Sequence, residues 1–239
     1  MSNREQKNWY QLLNDGKEMP HDIIKVEGFI NRDMADFLYG YVLLSKKRLS
    51  VIESIYNLDH IKDENARNEI EWWNRNLWGS FGDSQALGDY CRHGDLVFDT
   101  LLLGKLKQMK EITKMDLTPQ YSYYRLYTKD AELKEHTDRE SCEISVTLCL
   151  GYDSEYKWPI WFEDRSGEKI SVEMNPGDMV VYKGAELKHW REPFKGNNHA
   201  QVFLHYNIKD GKYDNIKDGR PVFGIPHNSL TIDWFRGNR

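Results

Sequence analysis

The sequence predicts an α+β fold in which an antiparallel β-sandwich or barrel follows a helical N-terminal half. The spacing of apolar residues carries this prediction, because it changes after Pro119 from steps of three or four to alternation. Short strand-like segments then follow one another with no helix-length segment between them, which indicates an antiparallel sheet rather than a parallel one. The 239 residues suffice for one sizeable buried core.

Two apolar stripes define the predicted helices. The first helix runs from Asp33, its predicted N-cap, to about Asn57, with a stripe of Met34, Phe37, Leu38, Tyr41 and Leu44. The second begins at Asp95, whose carboxylate can cap it, and its stripe contains Phe98, Leu101, Leu102, Leu106, Met109 and Ile112. The intervening IEWWNRNLWGSFGDSQALGDYCRHG predicts a helix end followed by an irregular connection.

Seven β-branched or aromatic runs follow Pro119, and turn-forming residues separate them. The runs are YSYYRLY, EISVTLCL, PIWFED, ISVEM, DMVVY, LKHWREPF and AQVFLHYNI. The sequence shows no internal repeat or flexible linker. We therefore expect a single domain over residues 1–239, with helical support in 1–118, the β core in 119–210 and a C-terminal extension in 211–239.

Composition excludes several classes of partner. The net charge of −5 and the isoelectric point near 5.9 give no field that would gather nucleic acid or an anionic membrane. The three cysteines, Cys91, Cys142 and Cys149, are too few and too scattered for a disulfide framework, which favours a reducing compartment. The chain shows neither a secretory signal nor an apolar run long enough to span a bilayer, so we expect a cytoplasmic protein without a membrane partner.

The stretch LKEHTDRES contains a candidate metal site. His136 and Asp138 are predicted to begin a strand, where alternate side chains share a face about 6–7 Å apart. His189 opens a later strand, after the turn NPGD and the run MVVY, and is the best candidate for a third ligand. Two histidines and one carboxylate leave three coordination positions open, which is typical of non-haem Fe(II) oxygenases.

The same spacing occurs once more, at His93-Gly94-Asp95, and there it has another explanation. Asp95 stands at a predicted helix start, where its carboxylate is needed as a cap. A histidine and an aspartate two residues apart are therefore weak evidence alone. The strand context of His136 and the later His189 strengthen the metal hypothesis.

The order of strand, HTD, strand, WPIWFED, NPGDMVVYKG, KHW and HAQVFLHY resembles the 2-oxoglutarate- and Fe(II)-dependent dioxygenases, in particular their prolyl-hydroxylase-like branch. The segments YSYYRLY, CEISVTL, HWREPF and QVFLHY also resemble a bacterial and viral subgroup of that branch. The resemblance covers Tyr121 to Ile208. It implies a double-stranded β-helix (jelly roll) barrel supported by the N-terminal helices, with His136, Asp138 and His189 as the iron ligands.

The resemblance also implies cofactors and a reaction. Fe(II), 2-oxoglutarate and O2 would be used to hydroxylate an unactivated C–H bond, with 2-oxoglutarate converted to succinate and CO2. A carboxylate ligand at Asp138 favours hydroxylation over halogenation. The substrate would be a small molecule or a peptide, with peptidyl proline as one candidate.

The chain departs from the family at the residue that holds the far carboxylate of 2-oxoglutarate. The family has Arg or Lys there, on the strand after the second histidine, and the matching residue here is His199. A neutral imidazole grips a carboxylate less firmly than a guanidinium does. Arg191, on the same strand face as His189, is the preferred replacement, with His199 and Gln201 as auxiliaries; Arg125 is the alternative.

Three of these candidate residues have simpler interpretations. Arg191 could face solvent and pair with Glu192 or Glu186. The resemblance implies that Tyr127 hydrogen-bonds the co-substrate, but it could equally be a half-buried tyrosine in a tyrosine-rich strand. Trp161 matches a residue that lines the co-substrate pocket and is most simply explained as core.

Two other functional classes remain open. A cupin-like metalloenzyme that does not use 2-oxoglutarate would suit NPGDMVVYKGAELKH, although cupins usually contain a paired H-x-H that this chain lacks. A non-enzymatic jelly-roll binding module could use WYQLL and EWWNRNLW as an aromatic contact surface. Cys142 and Cys149, predicted to share one strand, and His205 are expected to be core residues.

Overall fold

The computed structural model describes residues 19, 22–55, 58–83, 85–214 and 222–224. Helix α1 spans Arg32–Ile55, α2 Glu64–Trp78, α3 Leu96–Gly104 and α4 Leu106–Thr113, with 3₁₀ turns at Leu58–His60 and Glu140–Cys142. None of the helices in these ranges has both the length and the apolar character that a bilayer span requires. The segment WYQLL and most of the predicted C-terminal extension fall outside the described residues.

The helix ends show which polar residues act as caps. Asn31 Oδ1 accepts a hydrogen bond from the Met34 amide (2.9 Å), so Asn31 caps α1 and the predicted cap at Asp33 is wrong. Asp33 instead lies in the first turn, where a negative charge is favoured by the helix dipole. The cap at Asp95 is confirmed by its bonds from the amides of Val97 and Phe98. The single helix predicted after Asp95 is divided at the residue between α3 and α4.

Eleven strands occur in the described ranges, and every pairing between them is antiparallel. Their bounds are β1 Ile23–Val26, β2 Ser80–Phe81, β3 Tyr90–His93, β4 Leu117–Thr128, β5 Leu133–His136, β6 Ile144–Asp153, β7 Ile160–Glu163, β8 Lys169–Val172, β9 Met179–Tyr182, β10 His189–Arg191 and β11 Asn198–Ile208. The seven predicted runs correspond to β4 and to β6 through β11. Two short strands, β2 and β3, replace the irregular connection predicted after α2.

The strands form two sheets. The larger has the order β1-β9-β6-β11-β4-β3-β2, and the smaller has the order β5-β10-β7-β8. Such a pair of antiparallel sheets, with crossing connections between them, is consistent with the predicted jelly roll. The antiparallel fold with N-terminal helices is thereby confirmed.

Strand alternation gives the larger sheet one apolar face. In β11, Ala200, Val202, Leu204 and Tyr206 join the core cluster that contains the buried residues of α1 and α3. Truncating a fully buried residue such as Leu102 to alanine would cost about 2–5 kcal/mol. The helices therefore pack against the apolar face of the larger sheet.

The opposite face of the larger sheet, toward the smaller sheet, is strongly polar. The alternate residues of β4 and β11 are Tyr121, Tyr123, Arg125 and Tyr127, and His199, Gln201, Phe203 and His205. Buried polar groups are stable only when they find hydrogen-bond partners. An interior with this composition is therefore a candidate site rather than ordinary core.

Candidate functional site

Two histidines face each other across the pairing of β5 and β10. His136 and His189 are direct cross-strand partners, and their ring centroids lie 4.3 Å apart. The Nε2 atom of each ring lies 3.6 Å from Oδ1 of Asp138. The structure therefore brings together the three residues that the sequence singled out as ligands.

Asp138 is positioned by a loop and not by the alternation of side chains along a strand. His136 is the last residue of β5, and Asp138 lies in the loop that follows, so the prediction that both begin a strand is wrong. The Asp138 amide donates to the carbonyl oxygen of Gly184 (2.8 Å), on the connection that leads from β9 to β10. A loop anchored to that connection, and not a shared strand face, therefore aims the carboxylate at the histidines.

Backbone carbonyls fix the orientation of both imidazoles. His136 Nδ1 lies 2.8 Å from the Lys134 carbonyl oxygen, and His189 Nδ1 lies 2.9 Å from that of Leu187. Because a carbonyl oxygen can only accept, each Nδ1 carries a proton, and in the neutral ring Nε2 is the nitrogen left to bind a metal. A metal-binding histidine is normally held in this way through its other ring nitrogen.

The electrostatics of the three side chains favour a positive charge where they meet. Burial by itself would raise the pKa of Asp138, but the facing rings of His136 and His189 lower that pKa well below its ordinary value. Burial lowers the pKa of His136, and the nearby Asp138 carboxylate more than offsets this, so the pKa of His136 is raised. A divalent cation could satisfy the same arrangement, and an ionised carboxylate with two imidazoles is a donor set that suits Fe(II).

The three residues line a cavity of about 400 Å³ between the two sheets. A cavity of this size lies within the range of small-molecule sites. On the side of the larger sheet, its wall is largely aromatic and charged, and includes Asp83, Tyr121, Tyr123, Arg125, Phe203 and His205.

Arg125 stands in this wall with its charge already compensated. Its Nη2 contacts Asp83 Oδ2 in an ion pair, and its Nη1 donates to Tyr127 Oη (2.9 Å). Asp83 also accepts from Tyr123 Oη and from the amides of Gln85 and Ala86. No sequence pattern pointed to Asp83, which lies in the stretch predicted to be irregular.

Arg191 is a buried guanidinium with which no carboxylate of the described ranges forms an ion pair. It is 1% exposed, and its Nη1 donates to the Trp158 carbonyl oxygen (2.8 Å) while the group lies 4.7 Å from the Trp158 ring centroid. Among the residues that the structure describes, its Nε and Nη2 have no hydrogen-bond partner. The alternative of a solvent-facing pair with Glu192 or Glu186 is therefore wrong. Arg191 lies in the closed interior, outside the residues that line the cavity.

His199 and Gln201 belong to a buried hydrogen-bonded chain beside Arg191. Thr147 Oγ1 donates to Gln201 Oε1 (3.1 Å), and Gln201 Nε2 lies 3.3 Å from His199 Nδ1. Burial, and then the charge of Arg191, lower the pKa of His199 well below its ordinary value. His199 is therefore neutral, with Nδ1 as acceptor and its one N–H on Nε2.

The remaining two candidates differ in where their rings lie. Tyr127 is buried, accepts from Arg125 and packs against Trp158 at 5.0 Å between ring centroids. Trp161, which was expected in the core, instead lies on the outer face of β7 and stacks on Trp190 at 6.2 Å. Alternation explains this difference, because its neighbour Phe162 occupies the interior.

Sequence reasoning did not single out Tyr182 as a site residue. This fully buried residue ends β9, and its Oη lies 3.5 Å from His189 Nε2. Its position at the end of MVVY, just before the turn that leads to His189, is a signal that could have identified it.

A second group of potential ligands lies next to the first. Potential ligand atoms of Asp138, Cys142 and His205 lie within 4.8 Å of one another. Cys142 ends the 3₁₀ turn before β6, so the prediction that it shares a strand with Cys149 is wrong. Burial raises the pKa of the Cys142 thiol to about 12.

No protein-family model and no curated protein sequence matches this chain. Solved structures do match. A prolyl-4-hydroxylase from Pseudomonas putida has a TM-score of 0.54 at 16% identity, covering 79% of this chain and 94% of that one. The α-ketoglutarate-dependent non-haem epimerase SnoN of nogalamycin biosynthesis has a TM-score of 0.56 at 10% identity, covering 86% and 90%.

A collagen prolyl hydroxylase of Paramecium bursaria Chlorella virus-1, solved with 2-oxoglutarate, has a TM-score of 0.50 at 12% identity and covers 78% of this chain and 96% of that one. At these sequence identities the structural similarity shows a shared fold and nothing more. The chain therefore has the fold of the prolyl hydroxylases and other 2-oxoglutarate-dependent non-haem iron enzymes.

Proposed function

We propose that the protein is a 2-oxoglutarate- and Fe(II)-dependent dioxygenase that hydroxylates an unactivated C–H bond of a small molecule or peptide. The observation that carries this proposal is the convergence of His136, Asp138 and His189, with both Nε2 atoms 3.6 Å from one carboxylate oxygen. The fold shared with known enzymes of this chemistry supports it.

In this proposal the iron is held by three residues on one side. His136 and His189 supply neutral imidazole nitrogens whose orientation the backbone already fixes, and Asp138 supplies one negative charge. One carboxylate against a divalent ion leaves a net positive charge, which favours an anionic chelating co-substrate. When bound, Fe(II) with 2-oxoglutarate and O2 supplies the oxidising chemistry, and 2-oxoglutarate leaves as succinate and CO2.

Arg191 is the group that we assign to the far carboxylate of 2-oxoglutarate. A buried cation that lacks a counter-ion is costly, and two nitrogens of Arg191 have no partner in the described part of the chain. A carboxylate bound there would accept from both nitrogens and compensate the charge. The N–H on Nε2 of neutral His199 is available as an additional donor, while Gln201 orients that ring and Tyr127 is a further candidate donor.

Arg125 suits this role less well, although it lines the cavity. Its charge is compensated by Asp83, and a carboxylate of 2-oxoglutarate would have to displace that partner. We therefore assign the Arg125–Asp83 pair to the substrate side of the cavity. In this assignment Asp83 compensates the charge of Arg125, and the far carboxylate of 2-oxoglutarate compensates that of Arg191.

The substrate would enter the cavity of about 400 Å³ beside the candidate ligands. Its aromatic wall, in which Tyr121 and His205 rings lie 4.4 Å apart, suits an apolar or cyclic group with the reacting C–H bond turned toward the metal. A prolyl ring of a peptide fulfils these requirements and is the first candidate to test.

The test is succinate production from 2-oxoglutarate under air, with and without Fe(II), for the wild type and for His136→Ala. We expect Fe(II)-dependent succinate that increases when a suitable substrate, beginning with proline-containing peptides, is added. The variant should form none. Metal binding without any response to 2-oxoglutarate would favour a cupin-like enzyme instead.

A non-enzymatic binding module makes a different prediction. It would keep its interactions when all three candidate ligands are replaced by alanine, and it would release no succinate. Of the two aromatic segments suggested for a contact surface, EWWNRNLW lies in α2, where its two adjacent tryptophans, Trp72 and Trp73, are only partly buried. The buried polar interior between the sheets favours the enzyme over the module.

A further inference from the structure

A buried hydroxyl holds the Asp138 carboxylate from the side opposite the histidines. Ser145 Oγ donates to Asp138 Oδ2 over 2.8 Å, and Ser145 is completely buried. The Cys142 carbonyl oxygen, at 3.2 Å, is the longer alternative for the same proton. Because the hydroxyl has one proton, the shorter and charge-assisted bond to Asp138 is favoured. Oδ2 is thereby engaged, and Oδ1 is left to face both Nε2 atoms.

His205 continues this contact toward the cavity. Its Nδ1 lies 3.0 Å from Ser145 Oγ. Since the Ser145 proton is given to Asp138, the hydroxyl oxygen must accept, and His205 Nδ1 carries the donated proton. The result is a directed chain from His205 to Ser145 to Asp138. His205 also lines the cavity, where its ring packs on Tyr121.

Gly184 closes the remaining side of the carboxylate. Its carbonyl oxygen accepts from the Asp138 amide at 2.8 Å. A Cβ atom at this position would collide with both Asp138 Oδ2 and Ser145 Oγ, so only glycine leaves room for their hydrogen bond. The backbone thus fixes where Asp138 lies, and the hydroxyl fixes how its carboxylate is turned.

We propose that Ser145 and His205 are positioning residues that restrain Asp138 to ligate the metal through one oxygen. The inference rests on the proposed metal site and goes beyond its three ligands. A carboxylate that ligated through both oxygens would occupy an additional coordination position. Holding Oδ2 on Ser145 prevents this and keeps that position free for co-substrate.

The expected loss of metal affinity follows from what residues that hydrogen-bond a metal ligand usually contribute. Loss of such a partner typically weakens metal affinity by about 10–100-fold. We expect this range for Ser145→Ala, measured as Mn(II) affinity by calorimetric titration. The absorption spectrum of the Co(II)-loaded protein should change as well, because its d–d bands report coordination number.

Two substitutions at His205 separate positioning from packing. His205→Phe keeps a ring against Tyr121 but removes the N–H, and should weaken Mn(II) binding about as much as Ser145→Ala, about 10–100-fold. His205→Asn removes the ring but offers an amide N–H to Ser145, and should stay within a few-fold of the wild type. The reverse order would show that His205 acts by packing and would overturn the proposal.

Two further variants locate any failure. Cys142→Ala should bind Mn(II) like the wild type; a loss equal to that of His205→Phe would make Cys142 and His205 ligands of a second site and would overturn the positioning role. His136→Ala should lose Mn(II) binding. Wild-type affinity in that variant would refute the proposed metal site itself. If His136→Ala loses Mn(II) binding but Ser145→Ala does not, only the positioning role of Ser145 and His205 is refuted.

Discussion

His136 and His189 occupy opposite positions in one antiparallel pair of strands, so that two residues far apart in sequence become nearest neighbours. Their Nε2 atoms meet at the same oxygen of Asp138. Rigid strands hold the two imidazoles, and a loop brings the carboxylate. A site built in this way is preorganised, because metal binding requires little rearrangement of the chain.

The first prediction concerns metal affinity. Replacing His136 or His189 by alanine removes one of three ligands, and should weaken Mn(II) or Fe(II) binding by more than about 100-fold, beyond what loss of an outer partner produces. The measurement is calorimetric titration under anaerobic conditions. His93→Ala is a matched control, because His93 and Asp95 repeat the spacing of His136 and Asp138 without belonging to the group. Equal losses in all three variants would contradict the assignment.

The second prediction separates stability from binding at Arg191. Arg191→Met replaces an unpaired buried cation by an apolar side chain, and should leave the free energy of unfolding unchanged or raise it by about 1–4 kcal/mol. The same change should weaken 2-oxoglutarate binding by about 2–5 kcal/mol, because the ligand's carboxylate loses its buried partner. Urea unfolding with and without 2-oxoglutarate measures both effects.

Arg125→Met is the matched control for this experiment. It leaves Asp83 without its ion-pair partner, so it should destabilise the protein. The 2-oxoglutarate-dependent gain in stability, about 2.7 kcal/mol at a hundredfold excess over Kd, should persist in it. If Arg125→Met loses this gain while Arg191→Met keeps it, Arg125 is the anchor.

Alternation made most of the sheet predictable from sequence. Long runs such as those of β4 and β11 display period two over many residues, and both were identified. Strands β1, β2 and β3 lie among the helices, outside the regular series of strand-like runs and turns in which the equally short β7 to β10 were identified. Their formation depends on pairing with neighbours distant in sequence, which a local pattern does not encode.

The site, too, has residues that could be predicted from the sequence and residues that could not. Residue types and order were enough to select His136, Asp138 and His189, because few combinations of side chains bind a metal. The pairing of Arg125 with Asp83 was not predictable, since it depends on a connection between β2 and β3 that turns at Gly82 and Gly88, both with positive φ. Strand parity predicted that Arg191 shares the face of His189, and both side chains are buried, but only the structure shows that Arg191 lies outside the residues that line the cavity.

The third prediction concerns stability at acidic pH. The pKa of His199 is well below 6.5 in the folded protein, because of burial and then the charge of Arg191, while in the unfolded chain it is about 6.5. Below about pH 6.5 the unfolded state therefore binds more protons, and the free energy of unfolding falls as pH falls. This contribution is fully present above pH 6.5.

The maximum slope from one such group is about 1.4 kcal/mol per pH unit. His199→Asn should remove it, so the difference in unfolding free energy between pH 7.5 and pH 5.5, a range of about two units, should be smaller in the variant. Urea unfolding at the two pH values measures this difference, and other titrating groups cancel in the comparison. Identical pH dependence in wild type and variant would show that His199 is not held neutral.

The last prediction tests the crowded side of Asp138 with two glycine substitutions. Gly184→Ala places a methyl group against Asp138 Oδ2 and Ser145 Oγ, so it should destabilise the fold by about 1–3 kcal/mol and weaken Mn(II) binding by turning the carboxylate. Gly40→Ala lies on an exposed part of α1 with open space around it, and should stabilise the protein by about 0.5–1 kcal/mol while leaving Mn(II) binding unchanged. Thermal unfolding and calorimetric titration of both variants give these values. A Gly184→Ala protein with wild-type metal affinity would mean that the carboxylate tolerates rotation, and that its orientation is not set by the backbone behind it.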